Sequence, residues 1–300
     1  MEIYFFLFFY FLNNISIFDI IYKVNFNLKE GIMITKNIKS KILENITKKE
    51  EKILVSNILD KVLRFENNNT LEFTHFLDLN EIDIIKKVLD YLKINYFIAK
   101  PNLYAEKQVV FFIPDYLEFN TNKVISDNIS CIKIIPPIKG KLLHKDYMGS
   151  IYSLGIKHEM IGDIMAFDSC AYVFVMNIVK KFILDNLIKV KNQNVILELV
   201  DLNSDEVLNL SYNFTEKEYI VCSKRIDAIL SSVYNLSRNQ VKEKINSGDL
   251  YINSKNTFYI TDNLKKGDIV SFKRCGKFVF DDVVRETKNK NIVIKIKKYS

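Results

Sequence analysis

The sequence predicts an α+β protein with N-terminal helices, a central α/β domain and a C-terminal module of two helices followed by a small β-sheet. Three observations carry that prediction. Between residues 34 and 70, apolar residues recur at helical spacing amid Lys and Glu. From Leu71 the texture changes to short strand-like runs punctuated by Pro101, Pro114 and Pro136-Pro137. From Lys224 onward the charge turns positive: residues 224–300 hold 17 Lys+Arg against 8 Asp+Glu, a net +9 in a chain whose total is +7. The remaining 223 residues are therefore slightly acidic, at −2. At 300 residues the chain has room for two or three small domains.

Residues 1–32 stand apart. Ile3 to Leu12 is an unbroken aromatic and aliphatic run, followed by Asn13-Asn14 and a second apolar run, Ile15 to Tyr22. The first run is too short to span a bilayer, which needs about 20 apolar residues. Nor does it fit a secretory signal, because Glu2 is the only charge before it and no Ala is present for a cleavage site. Lys29-Glu30-Gly31 implies a purine-rich codon run just ahead of Met33, like a ribosome-binding site. The Ile-, Asn-, Lys-, Phe- and Tyr-heavy composition fits an AT-rich genome. The expectation is that Met33 is the start and residues 1–32 are a non-native extension. An intact mass of the natural protein that begins at Met33 would check it.

Residues 33–70 are expected to be helical, with Ile42, Leu43 and Ile46, then Ile53, Leu54, Ile58, Leu59 and Val62 facing a core. Asn67-Asn68-Asn69 breaks the pattern. The central domain, 71–222, divides into a part at about 71–140 and a second α/β part at about 141–222. In the first, Leu71 to Leu77 is a strand or a turn, and Asn80 can cap a helix from Glu81 to Leu92. Asn95–Ala99, Val109–Ile113 and Cys131–Ile135 read as strands. A βαββ sheet with one covering helix is the simplest assembly. It is RRM-like in topology, without a clear aromatic stacking signature. In the second part, Asp146 can cap a helix to about Leu154 with Gly155 at its end. A hairpin Asp163–Phe167/Ala171–Val175, a helix Met176–Leu187 and a strand Val195–Val200 follow. The chain has only 8 glycines, yet three lie between Gly149 and Gly162, which implies required turns or close backbone approach.

In the last segment, 223–300, Ile226, Ile229, Leu230 and Val233 form one apolar stripe on a first helix. Ser237 is an N-cap for a second, whose Val241 and Ile245 face inward while Arg238 and Lys242 share another face. Gly248 ends it. Small strands follow around Leu250-Tyr251-Ile252-Asn253 and Lys265-Lys266-Gly267-Asp268. This pattern resembles the S4 RNA-binding domain. The resemblance implies a structured RNA recognised by shape more than by sequence. Ser237 would cap a helix whose N-terminus meets a phosphate, flanked by Arg225, Arg238 and Lys242. Lys224, Lys265, Lys266, Lys273, Arg274 and Lys277 would widen the positive field. Tyr234 and Tyr251 are placed either to stack or to pack in the core.

The run from His144 to Ile164, with Thr74-His75-Phe76-Leu77-Asp78 and Ala105-Glu106-Lys107 upstream, carries a second resemblance, from about Lys48 to the C-terminus. It resembles the YlmH-like family of bacterial RNA-binding proteins. That implies contacts with ribosomal RNA and tRNA on the large ribosomal subunit, in rescue of stalled nascent chains, with His144, Lys145 and Lys157 contributing to the RNA surface. The family tends to have Arg where this chain has Lys107, Lys145 and His158, and an acid where it has His75. Lys keeps the charge but loses the bidentate fork.

Catalytic chemistry finds little support. Cys131, Cys170, Cys222 and Cys275 are widely spaced, with no Cys-x-x-Cys, so neither a zinc site nor a disulfide framework is expected. His158-Glu159 lacks the second His of a helix-borne zinc protease motif. No Gly-x-Gly exists in the chain, which removes the glycine loops of methyltransferases and P-loop enzymes. Arg225-Ile226-Asp227 lies in the first helix of the binding module, outside any pseudouridine-synthase context. The expectation is a cytoplasmic, monomeric, non-enzymatic binder of structured RNA, without cofactor, metal or membrane. The alternatives weighed are an RNA-modifying enzyme built on His144, Asp146, His158, Glu159 and Asp163, and an adaptor linked to cell division.

Overall fold

The structure, a computed structural model, describes residues 36–259, 262–287 and 290–299. The expectation for residues 1–32 lies outside the described residues. The chain is mixed helix and sheet and divides into two compact units, one ending at Ser211 and one spanning Tyr212–Ser300.

The first unit opens with helices α1 (Lys36–Glu44) and α2 (Lys49–Asn68). α2 carries Glu50 and Glu51 in its first turn, where acids suit the helix dipole, and it stops at Asn69, which adopts the left-handed conformation at φ 48°. After the short strand β1 (Glu72–Phe73), helix α3 (Leu79–Leu92) begins at Asp78. The Asp78 side chain accepts from Glu81 N–H, and the Glu81 carboxylate accepts from Asp78 N–H. The cap is thus Asp78 rather than the expected Asn80, because only Asp78 has a Glu three residues on to close the box. Strands β2 (Phe97–Ala99) and β3 (Val109–Phe112) complete a sheet of order β1-β3-β2. Val55, Ile58, Leu59 and Val62 of α2 pack with Ile85, Leu89 and Leu92 of α3 against Val110 and Phe112.

Helix α4 (Thr121–Asn128) leads into β4 (Ile129–Ile135). This strand does not join the first sheet, as the βαββ reading required. It pairs with β6 (Ala171–Met176) on one side and β9 (Ile196–Val200) on the other. With β5 (Ile161–Ala166) the order is β5-β6-β4-β9, all antiparallel. The expected division near residue 140 therefore falls inside one sheet, and the first sheet is a three-stranded one without Cys131–Ile135. Helices α5 (His144–Tyr152) and α6 (Asn177–Asn186) bring Tyr147, Ile151 and Ile183 to one face, onto Ile132, Ile134, Val173 and Val175. A minimal hairpin, β7 (Lys189–Val190) and β8 (Gln193–Asn194), and a short helix α7 (Asp205–Leu208) finish the unit. On the opposite face, Gly162 lies against the Phe76 ring: an added Cβ would come within 2.9 Å of that ring and 3.0 Å of Phe174 Cβ. Close approach, one of the two reasons expected for the glycines, is met there.

The second unit is a six-stranded antiparallel sheet covered on one side by two helices. Its strands are β10 (Phe214–Val221), β11 (Leu250–Ile252), β12 (Lys255–Asn256), β13 (Ile269–Phe272), β14 (Gly276–Glu286) and β15 (Ile292–Tyr299), in the order β10-β15-β14-β13-β11-β12. The unit starts before the expected residue 223 because β10 pairs with β15 along its whole length. Helices α8 (Ile226–Tyr234) and α9 (Arg238–Asn246) are joined through Asn235, left-handed at φ 52°. Their apolar stripes, Ile226, Ile229, Leu230 and Val233 with Val241 and Ile245, meet Val270, Phe272, Phe278, Phe280, Ile294 and Ile296 in one core. Ser237 and Gln240 form a reciprocal capping box on α9, and Gly248 turns the chain at φ +78° just beyond its end.

Candidate nucleic-acid interface

The cations expected to contact RNA in the second unit separate into two groups at the two ends of α9, a nine-residue helix with a rise of about 13 Å. The first group surrounds the start of α8 and the capped N-terminus of α9. Arg238, exposed in the first turn of α9, places a guanidinium nitrogen 2.7 Å from Cys222 Sγ, next to Lys224 and Arg225 in the chain. The Ile226 N–H donates to the Asp262 carbonyl, and Arg225 bridges Asn263, which brings the segment leading to Lys265 and Lys266 to the same place. Lys265 in turn is held by its N–H donating to Asp268 Oδ2 in the turn where Gly267 adopts φ +88°. Asn253 ties this turn to β11: its amide donates to Asp268 Oδ1, and its Oδ1 accepts from the Ile269 N–H.

Within this group the charges are not equal. The Arg225 guanidinium is folded onto Asp227 in a two-pronged pair of 3.0 and 3.1 Å, and the hydrogen bond from this carboxylate pushes the guanidinium pKa still higher. Lys266 pairs with Asp282 at 2.9 Å. Lys224, Lys242 and Lys265 are exposed and make no carboxylate pair among the described residues, and Arg238 meets only a thiol. Those four are the outward cations. The exposed Ser237 shows that the α9 N-terminus opens to solvent, where an anion is favoured by the dipole and by the amides of the first turn.

The second group lies at the other end of α9. Lys273 and Arg274 form the turn between β13 and β14, with Arg274 left-handed at φ 64°. The Lys244 ammonium approaches Asp249 at 3.3 Å and the Lys273 carbonyl at 3.5 Å. Lys273 lies over the Tyr251 ring and Lys277 over the Tyr299 ring, at 5.1 and 4.8 Å from the ring centroids. Tyr234 is half-buried against the core: its hydroxyl is buried and has no hydrogen-bond partner among the described residues, and burial raises its pKa. Tyr251 belongs to the sheet surface. Tyr299 and Phe214 escaped sequence reasoning, although the alternation Ile292-Val293-Ile294-Lys295-Ile296-Lys297 assigns Tyr299 to the Lys297 face.

In the first unit, His144 and Lys145 occupy the exposed first turn of α5, and Lys157 the exposed residue before the turn His158–Met160. The acidic residues weighed for catalysis are engaged in structural roles. Asp146 sits at the third position of α5, not at its cap; its carboxylate accepts from Leu143 N–H and lies 3.8 Å from Lys191. The chain turns at Gly155, φ +78°, a little beyond the α5 C-cap at Ser153. Asp163 Oδ2 accepts the N–H groups of both Glu106 and Lys107, at 2.8 and 2.9 Å, and the Lys107 ammonium donates to the Ile161 carbonyl at 2.7 Å. The Lys107 pKa is lowered, because burial outweighs the attraction of Asp163. His158 packs on Tyr152 with ring centroids 3.9 Å apart. His75 Nδ1 lies 3.4 Å from Glu159, but burial lowers the His75 pKa more than Glu159 raises it, so the contact at neutral pH joins a neutral imidazole to a carboxylate. Among the described residues no group of three His, Cys, Asp or Glu is arranged to hold a metal ion, and no helix is long and apolar enough to cross a membrane.

Residues 114–204, which contain the whole four-stranded sheet, match the family described as "Putative RNA-binding domain in YlmH". The chain is 21% identical over 244 residues to the ribosome-associated protein quality control protein P2 of Bacillus subtilis, covering 80% of this chain and 92% of that protein. Among solved structures, the cell division protein ylmH from Streptococcus pneumoniae aligns with 17% identity and a TM-score of 0.46, over 55% of this chain and 98% of that one.

Proposed function

We propose that this chain is a non-enzymatic RNA-binding protein that works on the ribosome, holding structured RNA with the α8–α9 face of its second unit and with the domain at residues 114–204. The observation that carries the reading is the set of four outward cations, Lys224 and Lys265 by the start of α8 and Arg238 and Lys242 on α9, in a segment with a net charge of +9. Supporting it are the family match at residues 114–204 and the similarity to a protein named for ribosome-associated quality control. The helix pair, its capping box and the Asn253–Asp268 turn fit the S4-type module that the sequence resembles. In this reading the targets are ribosomal RNA and tRNA on the large subunit, near peptidyl-tRNA, and the protein acts as a cytoplasmic monomer without a cofactor.

Phosphate neutralisation makes the reading measurable. Four outward cations at ~0.7–0.9 each give a salt slope of about 3 to 4 in log affinity against log salt. Replacing Arg238 and Lys242 together by Ala is expected to reduce that slope by about 1.4 to 1.8 while leaving the circular dichroism spectrum unchanged. A wild-type slope in the double variant would remove this face from the site. Mass spectrometry of ribosomal RNA from a deletion strain tests the enzyme reading: a lost modification would overturn the non-enzymatic role.

A further inference from the structure

Two segments of the first unit carry lysines and no acid. Residues 136–145 contain Lys139, Lys141 and Lys145, and residues 186–195 contain Lys189 and Lys191. Neither holds an Asp or Glu, although residues 1–223 as a whole are slightly acidic. The fold brings the two segments together. The Ile138 N–H donates to Gln193 Oε1 at 3.3 Å, and the Lys191 N–H donates to Ser150 Oγ at 3.2 Å. Leu142, Tyr147, Leu187 and Val190 share one core beneath them. The loop before α5, the first turn of α5 and the β7–β8 hairpin therefore make one continuous surface, and all five lysines are exposed on it.

Little cancels this charge. Lys139, Lys141, Lys145 and Lys189 make no carboxylate pair among the described residues, and Lys191 lies 3.8 Å from Asp146. Asp146 also accepts from the Leu143 N–H. Asp168, exposed beside Gly140, offsets one charge. Asp185, near the end of α6, stands one turn from the exposed Lys181, which balances it. Among the lysines Ile138, Leu143 and Ile188 are exposed at 50, 57 and 66%. Large aliphatic side chains left in water beside the charges mark an interaction surface rather than a solvated one.

The chemistry of the surface selects a partner. Ammonium groups meet phosphates as point charges, and the exposed Asn192 and Asn194 of the hairpin offer hydrogen bonds to hydroxyls. Neither segment contains Phe, Tyr or Trp, so neither supplies a ring on which an unpaired base would stack. Phosphates and 2′-hydroxyls without unstacked bases are what a double-stranded RNA stem presents. We propose that the loop 136–143, the first turn of α5 and the β7–β8 hairpin form a site for the backbone of an RNA stem, with Lys139, Lys141 and Lys189 on its phosphates. This site rests on the RNA-binding reading above and gives the domain at residues 114–204 its contact face.

The test uses the full chain and an RNA hairpin with a stem of about 16 base pairs and no unpaired tails. Lys139→Gln, Lys141→Gln and Lys189→Gln combined are expected to lower the salt slope for this hairpin by about 2.1 to 2.7, from three phosphates at ~0.7–0.9 each. The same three positions changed to Arg keep the charge and are expected to bind as wild type, which separates loss of contact from loss of folding. Lys41→Gln, Lys49→Gln and Lys52→Gln on α1 and α2 make the same change in net charge away from the surface and are expected to leave the slope unchanged. A triple Gln variant that keeps the wild-type slope and affinity would overturn the site. It would leave standing the α8–α9 face, which Arg238→Ala with Lys242→Ala tests separately on the same hairpin. A loss matched by the α1–α2 variant would also overturn the site, as a general effect of charge. Lost binding to phosphatidylglycerol vesicles with hairpin binding kept would assign the surface to a membrane instead. Failure of the wild-type protein to bind the hairpin would overturn both readings.

Discussion

Individual residues decide how much of the nominal charge reaches a ligand. Arg225 looked like a phosphate ligand in the sequence, but Asp227 two residues on occupies both prongs of its guanidinium. That pairing depends on a helix start, where the N-cap and the second helical residue lie close. Counting charges along the chain cannot reveal it. The same limit hid the role of Asp163, whose hydrogen-bond partners lie more than fifty positions earlier. Gly162 gives a local prediction. Gly162→Ala must displace the Phe76 ring, and overpacking of this kind costs about 1 to 3 kcal/mol; a lower urea midpoint at unchanged slope would register it. His75 gives a pH prediction. Its folded pKa lies below the ordinary value, so the unfolded chain binds the proton more readily. The contribution of His75 to stability is complete above the ordinary histidine pKa and is lost as pH falls from there through the lowered folded pKa. The urea midpoint of the wild type should therefore drop between pH 7.5 and pH 5 by more than that of His75→Gln.

Elements were legible where their signals were local. Both helices of the second unit follow from their apolar stripes and from the Ser237 cap, and the breaker at Asn67-Asn68-Asn69 ends α2 through a left-handed Asn69. Replacing Ser237 by Ala removes one side of a capping box, at a cost of about 0.5 to 2 kcal/mol. Because the same helix end faces the proposed phosphate, Ser237→Ala is expected to lower both the thermal midpoint and the affinity for the hairpin RNA. Asp78 and Asn80 are both good cap residues two positions apart, and only the reach of the Glu81 side chain selects the first. Strand partners were less legible. Cys131–Ile135 is plainly β-prone, but nothing in its own residues says whether it pairs with Val109–Phe112 or with Ala171–Met176. Sheet membership is a non-local property, fixed here by the inward-facing Ile132 and Ile134 meeting Val173 and Val175.

At the scale of the whole molecule, the excess of positive charge in the C-terminal segment was readable directly from the sequence, and its partition was not. One part rings the start of α8 and α9, one part lies at the β13–β14 turn, and Arg285, Lys295 and Lys297 are paired with Glu218, Glu216 and Asp281 on the sheet. The position of β15 in the sheet has a separate consequence in time. The strand lies between β10 and β14, interior to the sheet, yet it is the last described in the chain. During synthesis the amino-terminal parts emerge first. β10 and the helix pair leave the ribosome while the strand that joins β10 to the rest of the sheet is still being made. Translation that halts before residue 292 therefore yields a protein with its first unit complete and its basic module unclosed. Closure of this sheet is, for this topology, conditional on elongation through residue 299.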